Sequence, residues 1–228
     1  VIEVGESANA LNLSRLIPTE SGMEMIFKYS GRQFSIPLKV EGYFQAMNIL
    51  CAAGLAIASG SPSEKVFEHL KDLRSIPGRL EFCGLSKIKA KIYVDYAHTP
   101  DALTAALFSL RELTENKITL VFGCGGGRDK FKRPIMGEIA ENFADSVIIT
   151  DDNPRNEDSE KIRKAILETC PSALEIPNRK EAIITAINQG EKGDSILIAG
   201  KGHEKFQIID NKKIPFSDQE IIREVIGS

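Results

Sequence analysis

From Lys89 onward the sequence becomes regular, without an internal repeat: short apolar runs alternate with stretches of helical spacing, and polar or glycine-rich clusters follow several of the runs. The runs are Ile92 to Val94, Ile118 to Phe122, Ser146 to Thr150, Ala173 to Ile176 and Ser195 to Ala199. They are short, mainly apolar runs rather than alternating ones, as expected of strands covered by helices on both faces. Helices are predicted from Pro100 to Leu113 (capped by Thr99), Pro134 to Phe143, Ser159 to Thr169 and Lys180 to Asn188. Strands alternating with helices of roughly ten residues build βαβ units around a mainly parallel sheet. Phe206 to Ile209 and Lys213 to Phe216 flank Asp210-Asn211 as a hairpin, and Ser217 with Glu220 predicts a capping box for a last helix.

The N-terminal part follows another pattern. Met23 to Tyr29 and Gln33 to Val40 predict a hairpin about Ser30-Gly31-Arg32, followed by a helix from Phe44 to Ser59. Ser61, Pro62 and Glu64 spell a capping box opening a helix to about Leu73. Ile76 to Arg79 is a turn and Leu80 to Phe82 a strand. We place a boundary near Gly84 to Lys87, giving domains 1–86 and 87–228. One hairpin and two helices do not complete an α/β layer, so the first domain reads as truncated. The missing initiator Met fits a piece of something longer.

Composition excludes several classes. Of 228 residues, 42% are hydrophobic and 27% charged, which is ordinary for a folded domain and argues against disorder. Lys and Arg number 29 against 32 Asp and Glu, so no generally basic nucleic-acid surface organises the chain. No apolar run is long enough to span a bilayer, and the N-terminus lacks the pattern of a signal peptide. Cys51, Cys83, Cys124 and Cys170 form no C-x-x-C pair, so neither a disulfide framework nor a zinc knuckle is expected. A reducing cytoplasm is the natural setting.

Ligands of open parallel sheets bind outside the carboxyl ends of the strands. There the sequence places Asp95 to His98, Gly123 to Asp129, Asp151 to Arg155 and Gly200 to Glu204. Arg128 and Arg155 supply cations at that edge; Asp152 and Glu204 supply anions. Arginine grips a carboxylate with two parallel hydrogen bonds, and acidic groups hold an ammonium, so a zwitterionic, amino-acid-like ligand suits the edge. The glycine run is neither G-x-G-x-x-G nor a P-loop. It serves as a tight turn, and backbone N–H groups left free in it could hold an anion. Read singly, Arg128 to Arg133 is a solvated basic face and Asp152 to Arg155 a polar turn. His98 and His203 sit in strand-end loops, and no histidine spacing suggests a metal.

Taken together, Asp95-Tyr96-Ala97-His98-Thr99-Pro100-Asp101, Gly123-Cys124-Gly125-Gly126 with Arg128-Asp129-Lys130 and Lys132-Arg133-Pro134, Asp152-Asn153-Pro154-Arg155, and Ala199-Gly200-Lys201-Gly202-His203-Glu204 resemble the Mur ligases of peptidoglycan synthesis. The resemblance is strongest to the members that add diaminopimelate. It implies a Rossmann-like C-terminal domain, preceded by the last part of a central α/β ATPase domain. It also implies ATP-dependent amide formation through an acyl phosphate, with meso-diaminopimelate, ATP and the UDP-N-acetylmuramoyl dipeptide as small-molecule substrates. The enzyme would be a monomer with no nucleic-acid partner and no membrane insertion. Mg²⁺ is implied too, with ligands mostly upstream of this sequence alongside the phosphate-binding loop, so this chain alone is expected to be inactive. By motif, Arg128, Asp152, Asn153, Pro154, Arg155, Gly200 and Glu204 would hold diaminopimelate, and Arg155 would reject lysine. Asn48 would lie near adenine, Arg79 near phosphates, and Asp95 and His98 at the domain junction, with Asp95 on the ribose. No residue is assigned as catalytic. Two positions depart from the family pattern: Gln45 and Gly127 stand where Asn and Asp are usual. The alternatives are a lysine-adding member and a non-catalytic Rossmann-type nucleotide-binding module.

Overall fold

The computed structural model describes residues 1–19, 22–40 and 42–227. They form two compact units that divide between Ser75 and Ile76. In the first, strands β1 (Val4–Gly5), β2 (Leu11–Thr19), β3 (Gly22–Tyr29) and β4 (Arg32–Leu38) form one sheet in that order. The last three pair antiparallel, while β1 runs parallel to β2. Helices α1 (Tyr43–Ala58) and α2 (Ser63–Leu70) complete the unit. Its core is Leu11, Met25, Phe27 and Leu50, all fully buried, with Phe27, Phe34 and Phe67 in mutual ring contact.

Two expectations change here. The strand β2 was not foreseen, so the unit is a sheet with two helices rather than a lone hairpin with two helices. The capping box at Ser61 does not form: Pro62, in extended conformation, is the cap residue, and no side chain caps the helix.

The second unit contains β5 (Glu81–Leu85), β6 (Lys91–Asp95), α3 (Pro100–Arg111), β7 (Ile118–Phe122), α4 (Lys132–Phe143), β8 (Ser146–Ile149), α5 (Ser159–Leu167), β9 (Leu174–Glu175), α6 (Arg179–Gln189) and β10 (Ser195–Ala199). A hairpin of β11 (Phe206–Ile209) and β12 (Lys212–Pro215) and a last helix α7 (Asp218–Gly227) follow. The main sheet has the order β5-β6-β10-β7-β8-β9. All its strands are parallel except β5, which pairs antiparallel with β6. The expected α/β class with a mainly parallel sheet is therefore observed. The cap at Thr99 is also present, its hydroxyl accepting from Ala102 N–H at 3.4 Å.

The boundary falls earlier than Gly84 to Lys87. Residues 81–85 are a strand of the second sheet, and Leu80 N–H is bonded to the Asp95 carboxylate, so the segment from Ile76 belongs to the second unit. Because β10 inserts between β6 and β7, the chain changes direction across the sheet there. Such a switch point opens a crevice at the strand ends.

Candidate active site

The carboxyl ends of β6, β10, β7 and β8 stand side by side, and their loops enclose a cleft of about 400 Å³. Arg128, Asp152, Asn153, Arg155, Gly200 and Glu204 all line it. The residues expected to hold a zwitterion thus come from three loops to one place. Pro154 is the exception: it lies behind the wall, its carbonyl accepting from Glu157 N–H at 3.0 Å. A cavity of similar size, about 440 Å³, lies against α6 and α7 and contains none of the strand-end residues.

The glycine run works by close approach rather than by turning. Of Gly123, Gly125, Gly126 and Gly127, only Gly127 has a left-handed φ, +63°. A Cβ on Gly123 would stand 2.0 Å from Thr150 O, and one on Gly126 2.0 Å from Pro154 O. Glycine here lets the loop after β7 lie flat on the loop after β8. The anion-holding expectation fails for two of its amides: Gly126 N–H goes to Asn153 O at 2.9 Å and Gly127 N–H to Glu157 Oε2 at 3.0 Å.

The acidic side is built on buried groups that sequence reasoning did not single out. Lys201 is fully buried, and its Nζ donates to Asn153 Oδ1 at 3.1 Å and Glu204 Oε2 at 2.9 Å. Asn153 Nδ2 donates to the same Glu204 oxygen at 2.9 Å. Burial pushes the Glu204 carboxyl upward, but these hydrogen bonds and the charges of Lys201 and Arg155 outweigh it and hold it below its ordinary value. Asp152 goes the other way. Burial raises its pKa despite the positive charges of Arg179 and Lys201. Arg179, wholly inside, makes two 2.8 Å bonds to Asp218 and one of 3.0 Å to Ala199 O. Charged side chains are expected at the surface by default, so only a pairing across 39 residues could have revealed this one.

On the cationic side, Arg128 is exposed and makes no ion pair among the described residues. Arg155 is held hard. Its backbone is left-handed (φ +54°), with its N–H on Ile208 O and its carbonyl accepting from Asp210 N–H, so the β11–β12 hairpin clamps it. Nη1 donates to Gly126 O at 2.8 Å. Among the described residues Nε and Nη2 make no hydrogen bond, which leaves a two-donor edge for a carboxylate.

The basic run is not one solvated face. Arg133 is buried and forks onto Glu157 at 2.8 and 2.9 Å. The Arg133 hydrogen bonds, with lesser help from Gly127 N–H and Lys130, bring the Glu157 carboxyl down to about 2. A carboxyl depressed in the fold contributes stability that is complete above its unfolded pKa and lost as pH falls toward the folded one. The window is therefore about pH 4.5 down to about 2. In Glu157→Gln, we expect neutral-pH stability to fall by about 1–2 kcal/mol, discounted for solvent screening, and the acid limb between those pH values to flatten. Urea midpoints measured across that window check this, and parallel wild-type and variant curves would refute it.

On the nucleotide side, the Arg79 guanidinium lies 4.9 Å over the Tyr96 ring, and Tyr96 contacts both His98 and His203. His98 Nδ1 lies 2.9 Å from Tyr96 O, and its own carbonyl accepts from Lys132. Asp95 differs from expectation. It is nearly buried, with one oxygen on Leu80 N–H (2.6 Å) and the other on Ala97 N–H (2.7 Å). Its carboxylate is turned inward, pinning the left-handed Leu80 (φ +42°) beside Arg79, rather than outward toward a ribose. Burial raises its pKa against the pull of those two hydrogen bonds. Asn48 is exposed on α1 of the first unit. Among the described residues no group of three or more His, Cys, Asp or Glu side chains that could hold a metal ion occurs.

The fold and the cleft define a Rossmann-like α/β domain with a charged cleft at its strand ends. Residues 78–202 match the family description "Mur ligase, glutamate ligase domain". The chain is 46% identical over 99% of its length to the UDP-N-acetylmuramoyl-L-alanyl-D-glutamate–2,6-diaminopimelate ligase of a Chelativorans species. It is equally similar to the ligase of that name from Zymomonas mobilis, and it spans about half the length of these relatives, 47% of each. The solved structure of a ligase of that name superposes with a TM-score of 0.69 at 33% identity, over 97% of this chain and 46% of that one. A Mycobacterium tuberculosis folylpolyglutamate synthase shares the fold, at 20% identity and TM-score 0.69 over 98% of this chain and 49% of that one. The chain belongs to the Mur ligase family.

Proposed function

We propose that this chain is the amino-acid-binding part of an ATP-dependent ligase. That enzyme joins meso-2,6-diaminopimelate to UDP-N-acetylmuramoyl-L-alanyl-D-glutamate in peptidoglycan synthesis. The observation that carries the reading is the meeting of Arg128 and Arg155 with Asp152 and Glu204 around one cleft. Residues 1–75 are read as the end of the central ATPase domain, with Asn48 on its adenine side. Arg79 and His98 would serve the nucleotide from the second unit, and Asp95 would hold the Arg79 loop in place. Amide formation through an acyl phosphate needs no enzyme nucleophile. The protein's work is to orient the amine and stabilise charge, and this fits a cleft made of fixed hydrogen-bonding groups.

Diaminopimelate carries a second amino-acid head at its far end, where lysine has only an ammonium. A clamped guanidinium left without its carboxylate discriminates strongly against lysine. Calorimetric titration of both amino acids into wild type and Arg155→Ala tests this. We expect wild type to prefer diaminopimelate by tenfold or more, about one charge-assisted hydrogen bond, and the variant to lose that preference. Equal affinity of wild type for both would favour a lysine-adding enzyme. Saturable binding of NADH in place of either would favour a dinucleotide module.

A further inference from the structure

Glu204 and Asn153 reach the cleft from the ends of β10 and β8, which are not neighbours: β7 lies between them. Two strand spacings amount to about 10 Å, so some element must tie the two loops across the gap. The tie is Lys201. It is 0% exposed and does not line the cleft, yet its Nζ bonds one residue from each loop, at 3.1 and 2.9 Å. Glu204 N–H closes the turn onto Lys201 O at 3.0 Å, so lysine and glutamate are fixed on the same bend of chain. Asn153 is locked in turn. Its Oδ1 also accepts from Ile208 N–H at 2.9 Å, and its Nδ2 bonds Glu204 Oε2. Both bonds to the Glu204 carboxylate fall on Oε2, leaving Oε1 without a hydrogen bond among the described residues.

We propose that Lys201 is a positioning residue: its buried ammonium cross-links Asn153 and Glu204 and so presents the free Glu204 oxygen, ionised and immobile, to the ammonium of the incoming amino acid. This rests on the amino-acid-binding reading above and adds the group that sets its anionic half. Lysine suits the task. Its unbranched stem spans from one strand end toward another, and its point charge bonds two acceptors in different directions. A buried ion pair is a poor source of net stability, because desolvation consumes most of its Coulombic gain. What such a pair supplies here is a defined position for the carboxylate. The lowered Glu204 pKa agrees with this arrangement, since burial alone would raise it.

The test compares wild type with Lys201→Met, which keeps the stem and removes the charge. The Glu204 carboxyl is followed by ¹³C NMR against pH in the ligand-free chain. In wild type it should titrate below ordinary glutamate. In Lys201→Met it should move above wild type, because only the Asn153 hydrogen bond and the Arg155 charge are left to offset burial. Calorimetry should show meso-diaminopimelate binding about tenfold weaker or more in the variant, the size of one lost charge-assisted hydrogen bond. The proposal is overturned if the folded variant leaves the Glu204 titration unchanged, or if its affinity for meso-diaminopimelate equals that of wild type. If wild type itself binds no diaminopimelate, the proposed function fails, while the carboxyl titration still decides the part of Lys201. Should Lys201→Met not fold, the wild-type titration at low and high salt decides. A pair buried as Lys201 is keeps Glu204 depressed in both, and a value that climbs to ordinary glutamate in high salt would refute it.

Discussion

Gly126→Ala is expected to dismantle the cleft without altering a single charge. The added Cβ would lie 2.0 Å from Pro154 O, 2.9 Å from Pro154 C and 2.9 Å from Glu157 Cβ. The first two are backbone atoms of a buried residue, with no side-chain rotation to relieve them. The two loops must therefore separate. Separation breaks Gly126 N–H to Asn153 O and Arg155 Nη1 to Gly126 O, the bonds that seat Asn153 and Arg155. Overpacking costs about 1–3 kcal/mol and each lost hydrogen bond about 1 more, so we expect a stability loss of about 3–5 kcal/mol and no measurable diaminopimelate binding. Gly127→Ala is the control. Its Cβ meets nothing nearer than Arg155 Cδ at 4.0 Å, and only the left-handed φ of +63° penalises it, by about 1 kcal/mol. Urea midpoints of the two variants measure the difference. Equal midpoints would mean that the loops after β7 and β8 are not in contact.

What the sequence made legible follows the same physics. The strands β6, β7 and β10 are uninterrupted apolar runs, because helices cover both their faces, and such runs stand out from any helical pattern. Strand β2 escaped for a local reason. A bulge between Leu13 and Arg15 shifts its register, so the alternation begun by Leu11 and Leu13 does not continue. Pro18 is tolerated in β2 because, among the described residues, β1 covers only Leu11 and Asn12 and leaves that edge unpaired farther on. In the cleft, the lining residues were legible because they stand at strand ends in recognisable order. The groups behind them were not. Lys201, Arg133, Arg179 and Asp218 are charged residues that composition assigns to the surface. Their burial depends on partners up to 48 residues away, and no local pattern encodes that. Asp95 shows the converse: a strand-end acid, well placed to face a ligand, is turned inward by two backbone amides.

An effect as large as that of Gly126→Ala is expected behind the acidic wall, at Arg179 and Asp218. Both side chains are 0% exposed, they pair through two 2.8 Å bonds, and Arg179 also holds the carbonyl of Ala199, the last residue of β10 before Gly200. Gly200 in turn must be glycine: its φ is +109° and a Cβ would lie 2.8 Å from Asp152 Oδ2. The pair thus sets the end of β10 against Asp152. Arg179→Met strands a carboxylate in the interior, and Asp218→Leu strands a guanidinium. Each should cost about 3–5 kcal/mol, because an unpaired buried charge keeps its whole desolvation penalty. The double variant Arg179→Met/Asp218→Leu removes both charges and should recover most of that loss. Losses that simply add in the double variant would show that the two side chains do not act as a pair. A second signature separates the electrostatic part from packing. Arg179 is the largest positive influence opposing the upward shift of Asp152. The double variant also loses the smaller upward push of Asp218, but the loss of Arg179 outweighs it, so the Asp152 carboxyl should titrate higher than in wild type. The acid limb of diaminopimelate binding should then move to higher pH, because the carboxylate protonates earlier as pH falls. Binding measured against pH in the double variant, with the limb unmoved, would assign Arg179 to packing alone.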